Sequence, residues 1–128
     1  MLADVSQSYR AAIVETCASF SVAVTHCDVA SVKAAGNANN DWIVTQRLLA
    51  ARGLDAPFEE VKARFEALYQ GTPATPGLWT RETLRVPREV IRAWSERLPL
   101  AIVTGRQRGD LDRLLDHSEL RTDRKSVV

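Results

Sequence analysis

Cysteine, histidine, aromatic residues and net charge are all scarce in this 128-residue chain, and each scarcity closes a class of function. The two cysteines, Cys17 and Cys27, have no CxxC spacing and no histidine at ligand spacing. Neither a disulfide framework nor a zinc site is expected, and both are read as buried free thiols in or beside an apolar helical pattern. His26 and His117 stand alone at metal or triad spacing and read as surface or hydrogen-bonded side chains. Seventeen Lys and Arg against sixteen Asp and Glu leave a formal charge of +1, so no large field exists to steer nucleic acid or to hold anionic lipid. The sign-alternating run over residues 106–124 lacks interleaved aromatics for base stacking and reads as a solvated helix face. No apolar run approaches the ~18 to 20 residues that span a bilayer, and the chain does not open on a basic segment followed by an apolar one. These absences predict a soluble, cytoplasmic chain that partners neither nucleic acid nor membrane. Its length suits one ordinary domain, or part of one, and is too short for two.

What the sequence does contain is helical periodicity. Over residues 6–20, Tyr9, Ile13, Cys17 and Phe20 recur at three- and four-residue spacing, with Asp4 or Ser6 as the N-cap. A short helix over 28–35 stops at Gly36, and the polar loop Asn37-Ala38-Asn39-Asn40 leads into a helix from Asp41 with Trp42, Ile43, Leu48 and Leu49 as its stripe and Gly53 as its stop. From Pro57, another helix turns Val61, Phe65, Leu68 and Tyr69 inward and ends at Gly71. Residues 71–78 (GTPATPGL) form the one Pro/Gly-rich stretch and the candidate linker. Beyond it the pattern changes to helix over 85–97 with Val90, Ile91 and Trp94 inward, strand over 100–104, and helix from about Arg108 with Leu111, Leu114 and Leu115 apolar. Trp42, Trp79 and Trp94 are read as packing residues.

The strand carries the most chemical information. Leu100-Ala101-Ile102-Val103-Thr104 is apolar, β-branched at three positions and bounded by Pro99 and Gly105. Ligands of open α/β sheets bind beyond the carboxyl ends of strands, which puts the Thr104 hydroxyl, the Gly105 amide and Arg106 where an anion would sit. On spacing alone, a Thr-Gly pair is an ordinary strand exit, Arg106 a solvated side chain, and the asparagine loop a helix cap. A lone strand also leaves its backbone N–H and C=O groups unsatisfied, so its sheet neighbours are expected elsewhere.

With a strand ending in Thr104-Gly105-Arg106, a helical insert before it, and the opening Met1-Leu2-Ala3-Asp4, the chain resembles the haloacid dehalogenase superfamily of phosphohydrolases, in a subfamily with a helical cap. In that family a strand ends Asp-x-Asp-Gly-Val and continues Leu-x-Asp. Leu2-Ala3-Asp4 looks like the continuation, and Met1 falls where the family has Val, which GTG encodes while also serving as a start codon. The resemblance implies that the two catalytic aspartates lie just upstream of this chain. It implies an α/β fold, with a Rossmann-like core incomplete here and a helical cap: residues 1–4 as a remnant of the first core strand, 5–80 as the cap, and 81–122 as part of the core. The implied activity is hydrolysis of a small phosphorylated metabolite through an aspartyl-phosphate, with Mg²⁺ whose ligands are absent from this chain. Covalent catalysis of this kind splits one displacement into two. Thr104 matches the hydroxyl that donates to a phosphoryl oxygen, with Gly105 and Arg106 beside it. Lys33, Asn39, Asn40 and Asp41 match a cap loop written Gly-Gly-x-Asn-Asn-Asp-Trp, with Asn37 where a second glycine is usual, and would meet the substrate.

The last six residues, Asp123-Arg124-Lys125-Ser126-Val127-Val128, abandon periodicity. They are the translation of GATCGGAAGAGCGTCGTG, a common sequencing-adapter string, so residues 123–128 are expected to be an artefact; a basic tail is the other reading. With the attacking aspartate outside it, the chain is expected to be an inactive fragment of its parent and to fold poorly around its unpaired strand. The competing class is a non-catalytic helical interaction module whose apolar stripes bind a partner. Substrate identity and oligomeric state are not written in the sequence.

Overall fold

Helical periodicity becomes helices wherever an apolar stripe finds another stripe to cover it. In the computed structural model, which describes residues 2–120, α1 (Tyr9–Ser19), α2 (His26–Ala34), α3 (Asp41–Ala51) and α4 (Phe58–Gln70) pack their faces together, followed by a 3₁₀ turn at Leu78–Arg81. Ile13 and Cys17 of α1, Val29 of α2, Val44 and Leu49 of α3, and Val61, Phe65 and Tyr69 of α4 are almost wholly shielded from solvent. Phe20, Trp42, Leu68 and Trp79 are partly buried against this core. Apolar burial of this kind contributes roughly 1.5–3 kcal/mol per large side chain.

Local chemistry sets the ends. α2 begins at His26, not at Asp28, because Thr25 and Asp28 form a reciprocal capping box: the Asp28 N–H donates to Thr25 Oγ1 at 3.2 Å and the Thr25 N–H to Asp28 Oδ2 at 2.7 Å. Those bonds from the Thr25 backbone and hydroxyl hold the Asp28 carboxyl below its ordinary value. α1 begins later than its periodicity suggests, with Ser8 rather than Asp4 or Ser6 at the N-cap. α4 ends at Gly71, whose φ of 77° favours glycine.

Residues 71–78 are a closed turn, not a linker. Gly71 bridges Pro76, and Thr72 and Thr75 exchange backbone hydrogen bonds at 2.9 and 3.2 Å. A side chain at Gly77 would put a Cβ 2.3 Å from the Tyr69 carbonyl oxygen, so the backbones approach at a distance that only glycine permits. The chain divides into two compact units instead at residues 5–82 and, among the described residues, at 2–4 with 83–120.

The second unit contains a two-stranded antiparallel sheet, β1 (Ala3–Asp4) against β2 (Thr83–Leu84), with Ala3 opposite Leu84 and Asp4 opposite Thr83. Helices α5 (Arg88–Arg97) and α6 (Arg108–His117) follow. Pro87 precedes the first turn of α5, which therefore starts three residues later than the pattern over 85–97 suggests. Arg88 pairs with Glu119, while Ile91, Leu114 and Leu120 supply the buried apolar groups. Four further expectations are corrected. The strand over 100–104 is not formed: those residues have no regular structure, since among the described residues no neighbouring strand takes their backbone groups. Trp94 is half exposed rather than inward, because α5 buries only Ile91. Cys27, placed in the first turn of α2, is exposed rather than buried. The helix bounds shift as described above. Met1 and the expected artefactual tail, residues 123–128, lie outside the described residues.

Two outcomes follow from this packing. Phe65→Ala should lower the unfolding free energy by about 3–5 kcal/mol, and Trp94→Ala by under about 1 kcal/mol, in urea unfolding followed by helical circular dichroism. Burial pushes the Cys17 thiol up to about 11 and buries the sulfur as well. At neutral pH a thiol reagent should therefore modify Cys27 alone in the native chain and both cysteines in denaturant, with peptide mass spectrometry identifying the sites.

Candidate functional site

The loop between α2 and α3 reverses direction through two consecutive left-handed residues, Gly36 with φ of 89° and Asn37 with φ of 52°. Asparagine tolerates that conformation better than other non-glycine residues, and Asn37 supplies it where the resembling pattern has a glycine. The reversal brings together three of the four loop residues singled out in the sequence. Lys33 Nζ donates to Asp41 Oδ1 at 2.7 Å, with both side chains partly shielded. Asn40 Oδ1 accepts from the N–H groups of Trp42 at 3.0 Å and Ile43 at 3.4 Å and so caps α3. Thr45 Oγ1 donates to the Asp41 carbonyl at 2.7 Å, and Arg47 Nη1 to the Gly36 carbonyl at 3.4 Å, which steadies the loop from its own helix. Asn39 is exposed at the tip.

This arrangement divides the labour within the loop. The Asn40 oxygen is committed to the helix terminus, leaving its amide hydrogens as the groups it can offer. Lys33 and Asp41 neutralise one another, so the loop presents N–H donors and one further carboxylate oxygen rather than a bare charge. A half-exposed pair of this kind contributes little to stability, of the order of 1 kcal/mol or less.

Thr104, Gly105 and Arg106 lie in the other unit, in the irregular segment before α6. The Arg106 N–H donates to Thr104 Oγ1 at 3.1 Å, a short side-chain turn that brings hydroxyl, glycine amide and arginine together. Thr104 and Gly105 are exposed, and Arg106 is half-buried. The hydroxyl still has its own proton to donate. Among the described residues, no group of three or more His, Cys, Asp or Glu could hold a metal ion. The residues present therefore do not fit the Mg²⁺ that the resemblance implies. No described helix is long and apolar enough to cross a membrane.

Sequence reasoning missed one cluster altogether. Glu82 is buried at 4 % exposure and accepts from the Tyr69 hydroxyl at 2.9 Å, while the Tyr69 ring stacks on Tyr9 with centroids 4.6 Å apart. Burial, then the hydrogen bonds to Tyr9 and Glu82, push the Tyr69 phenol well above its ordinary value. Tyr9 and Tyr69 were legible as helix-face residues. Nothing around Glu82 in the sequence marks it as buried, because its shielding comes from α1 and α4, distant in the chain.

No family model matches the chain. It is 49 % identical over 122 residues to a protein of Phytophthora nicotianae named imidazoleglycerol-phosphate dehydratase; the alignment takes in 90 % of this chain and 27 % of that protein. The chain thus spans about a quarter of the length of that relative. The fold resembles that of the phosphatase Tt82 from Thermococcus thioreducens, with a TM-score of 0.75 and 19 % identity, over the whole of this chain and 68 % of that one. At that identity the likeness is one of fold, and both proteins bear the names of enzymes.

The cap geometry separates a structural asparagine from an available one. Asn40→Ala should cost about 0.5–2 kcal/mol in urea unfolding, whereas Asn39→Ala should stay within about 0.5 kcal/mol of the parent chain.

Proposed function

We propose that this chain is the capped portion of a longer, cytoplasmic hydrolase of the haloacid dehalogenase kind, acting on a small phosphorylated metabolite. One observation carries the reading: the chain follows, over its whole length, the fold of a protein named as a phosphatase. The relative from Phytophthora nicotianae adds that a longer polypeptide containing such a segment bears the name of an enzyme for a phosphorylated small molecule.

On this reading the attacking aspartate, which forms the aspartyl-phosphate, and the aspartate that protonates the leaving oxygen are supplied from outside the 128 residues. This chain contributes binding and orientation. The Thr104 hydroxyl and Gly105 amide donate to phosphoryl oxygens, and the Arg106 guanidinium offsets their charge. Preformed donors of this kind act where charge develops and need no rearrangement during the reaction. Within residues 5–82, Lys33, the Asn39 and Asn40 amides and Asp41 are the polar groups offered to a substrate, with the Lys33–Asp41 pair setting the orientation of both side chains. Any divalent cation finds its ligands outside the described residues, and no step of this chain's own chemistry runs through it.

A non-catalytic helical module is the second reading. It rests on the closed core of residues 5–82, a helical unit that is compact by itself. The two readings part in one experiment. The 128-residue chain should show no turnover of a panel of phosphomonoesters with Mg²⁺ present, since donors without a nucleophile leave only residual rate. The reading frame extended in genomic DNA should carry Asp-x-Asp-Gly immediately before residue 1 and turn over at least one of them. In that extended protein Thr104→Ala should lower kcat by about 10²-fold. Turnover by the short chain would remove the fragment reading, and an extended frame without the aspartates would leave the helical module.

A further inference from the structure

The Lys33–Asp41 pair leaves part of both heads unused. An ammonium carries three protons, and Lys33 Nζ directs one of them at Asp41 Oδ1, 2.7 Å away. Among the described residues, no other hydrogen bond or ion pair engages either side chain, so two N–H donors and Asp41 Oδ2 remain on offer. The side chains come from different helices, α2 and α3, and are 31 % and 20 % exposed, which fixes the pair and still turns it to solvent. Around it, Arg47 is directed at the Gly36 carbonyl, Lys62 lies over the Trp42 ring, and Glu66 accepts from the Trp42 indole N–H. A cation and an anion held side by side form a fixed dipole, and charge decides what docks on it. A leaving group with a single charge is drawn to one head and repelled by the other. A neutral polyol meets donors and an acceptor but no ionic partner. A group that holds an ammonium beside a carboxylate, turned head to tail, meets opposite charge at both ends.

We propose that this loop selects a phosphomonoester whose leaving alcohol is an amino acid, Lys33 taking its carboxylate and Asp41 Oδ2 its ammonium. The assignment rests on the phosphatase reading for the loop's role toward the leaving group, and it narrows that reading to one substrate class. The pair stays closed as the amino acid docks, so neither charge loses its partner. The Asn39 and Asn40 amides supply neutral donors to either kind of ligand and leave the selection to the charged pair.

Phosphate esters that differ only in the charge of the leaving group isolate the choice. O-phospho-L-serine is zwitterionic there, phosphoethanolamine cationic, 2-phosphoglycolate anionic and glycerol 3-phosphate neutral. In amide NMR titrations of the 128-residue chain, O-phospho-L-serine should shift Asn39, Asn40 and Asp41 saturably, at concentrations about fivefold lower than any of the others. Lys33→Met should reorder the series in favour of phosphoethanolamine, and Asp41→Asn in favour of 2-phosphoglycolate. Loss of a merely structural pair would not reverse the sign of the preferred charge in this way. Unchanged helical circular dichroism would confirm that both variants keep their fold. Equal shifts from all the esters, no loop shift with O-phospho-L-serine, or variants that keep the parent's order would each overturn the proposal. Binding is read here without turnover, so the two readings fail separately. An extended protein that hydrolyses phosphomonoesters without favouring O-phospho-L-serine removes the selectivity and keeps the reaction. A loop preference for O-phospho-L-serine without hydrolysis by the extended protein keeps the selectivity and removes the reaction.

Discussion

The apolar face of α4 is the constraint on which the ordered part of this protein depends. Val61, Phe65 and Tyr69 recur at four-residue spacing, so one side of a three-and-a-half-turn helix is apolar while Glu59, Glu60 and Ala63 face outward. Such a helix is not stable alone in water, and most of its stability comes from covering that face. α1 and α3 supply the cover, the Tyr9 and Tyr69 rings stack across it, and Glu82 is drawn beneath Tyr69 to satisfy the buried hydroxyl. Every loop in residues 5–82 then has a short distance to bridge between helix ends already placed. The asparagine loop is one of these. Its left-handed pair and its Asn40 cap are consequences of where α2 must stop and α3 must begin.

The other unit illustrates the same physics with a term missing. A helix satisfies its backbone internally, and so α5 and α6 form although each buries a single residue of its own. A strand satisfies its backbone only through a neighbour. Residues 100–104 have the composition of a buried strand and, among the described residues, none of its partners, and they are left irregular, with Ala101, Val103 and Thr104 exposed and Leu100 and Ile102 half-buried. That contrast explains why the periodic segments of the sequence were legible and the apolar run was misleading. Composition reports what a segment would do in a complete sheet, and it says nothing about whether the sheet is there.

Particular residues show the limits of reading the chain in one dimension. Gly36, Gly53 and Gly71 end helices as their sequence positions indicate, since a left-handed backbone is a local demand met locally. The Pro/Gly-rich stretch at 71–78 has a linker's composition and yet closes on itself, because Gly71 and Gly77 allow two backbones to touch. Asn40 is the reverse case: a candidate ligand group whose oxygen is held by the helix it precedes. Thr104 keeps its hydroxyl next to the Gly105 amide and Arg106 even without the strand, since a side-chain turn within three residues holds them.

By itself the sequence determined the elements whose stabilising contacts are local: the helices, their glycine stops, the capping loop, the absence of any long apolar span, and the hydroxyl–glycine–arginine turn. Tertiary structure alone decided what depends on residues far apart in the chain. It buried Glu82 beneath Tyr69, exposed Cys27 and Trp94, closed residues 71–78 into a turn, and withheld a strand from 100–104. The reason is the range of the forces. Helical hydrogen bonds and caps act within four residues, whereas burial and strand pairing require a surface that only the rest of the fold can supply.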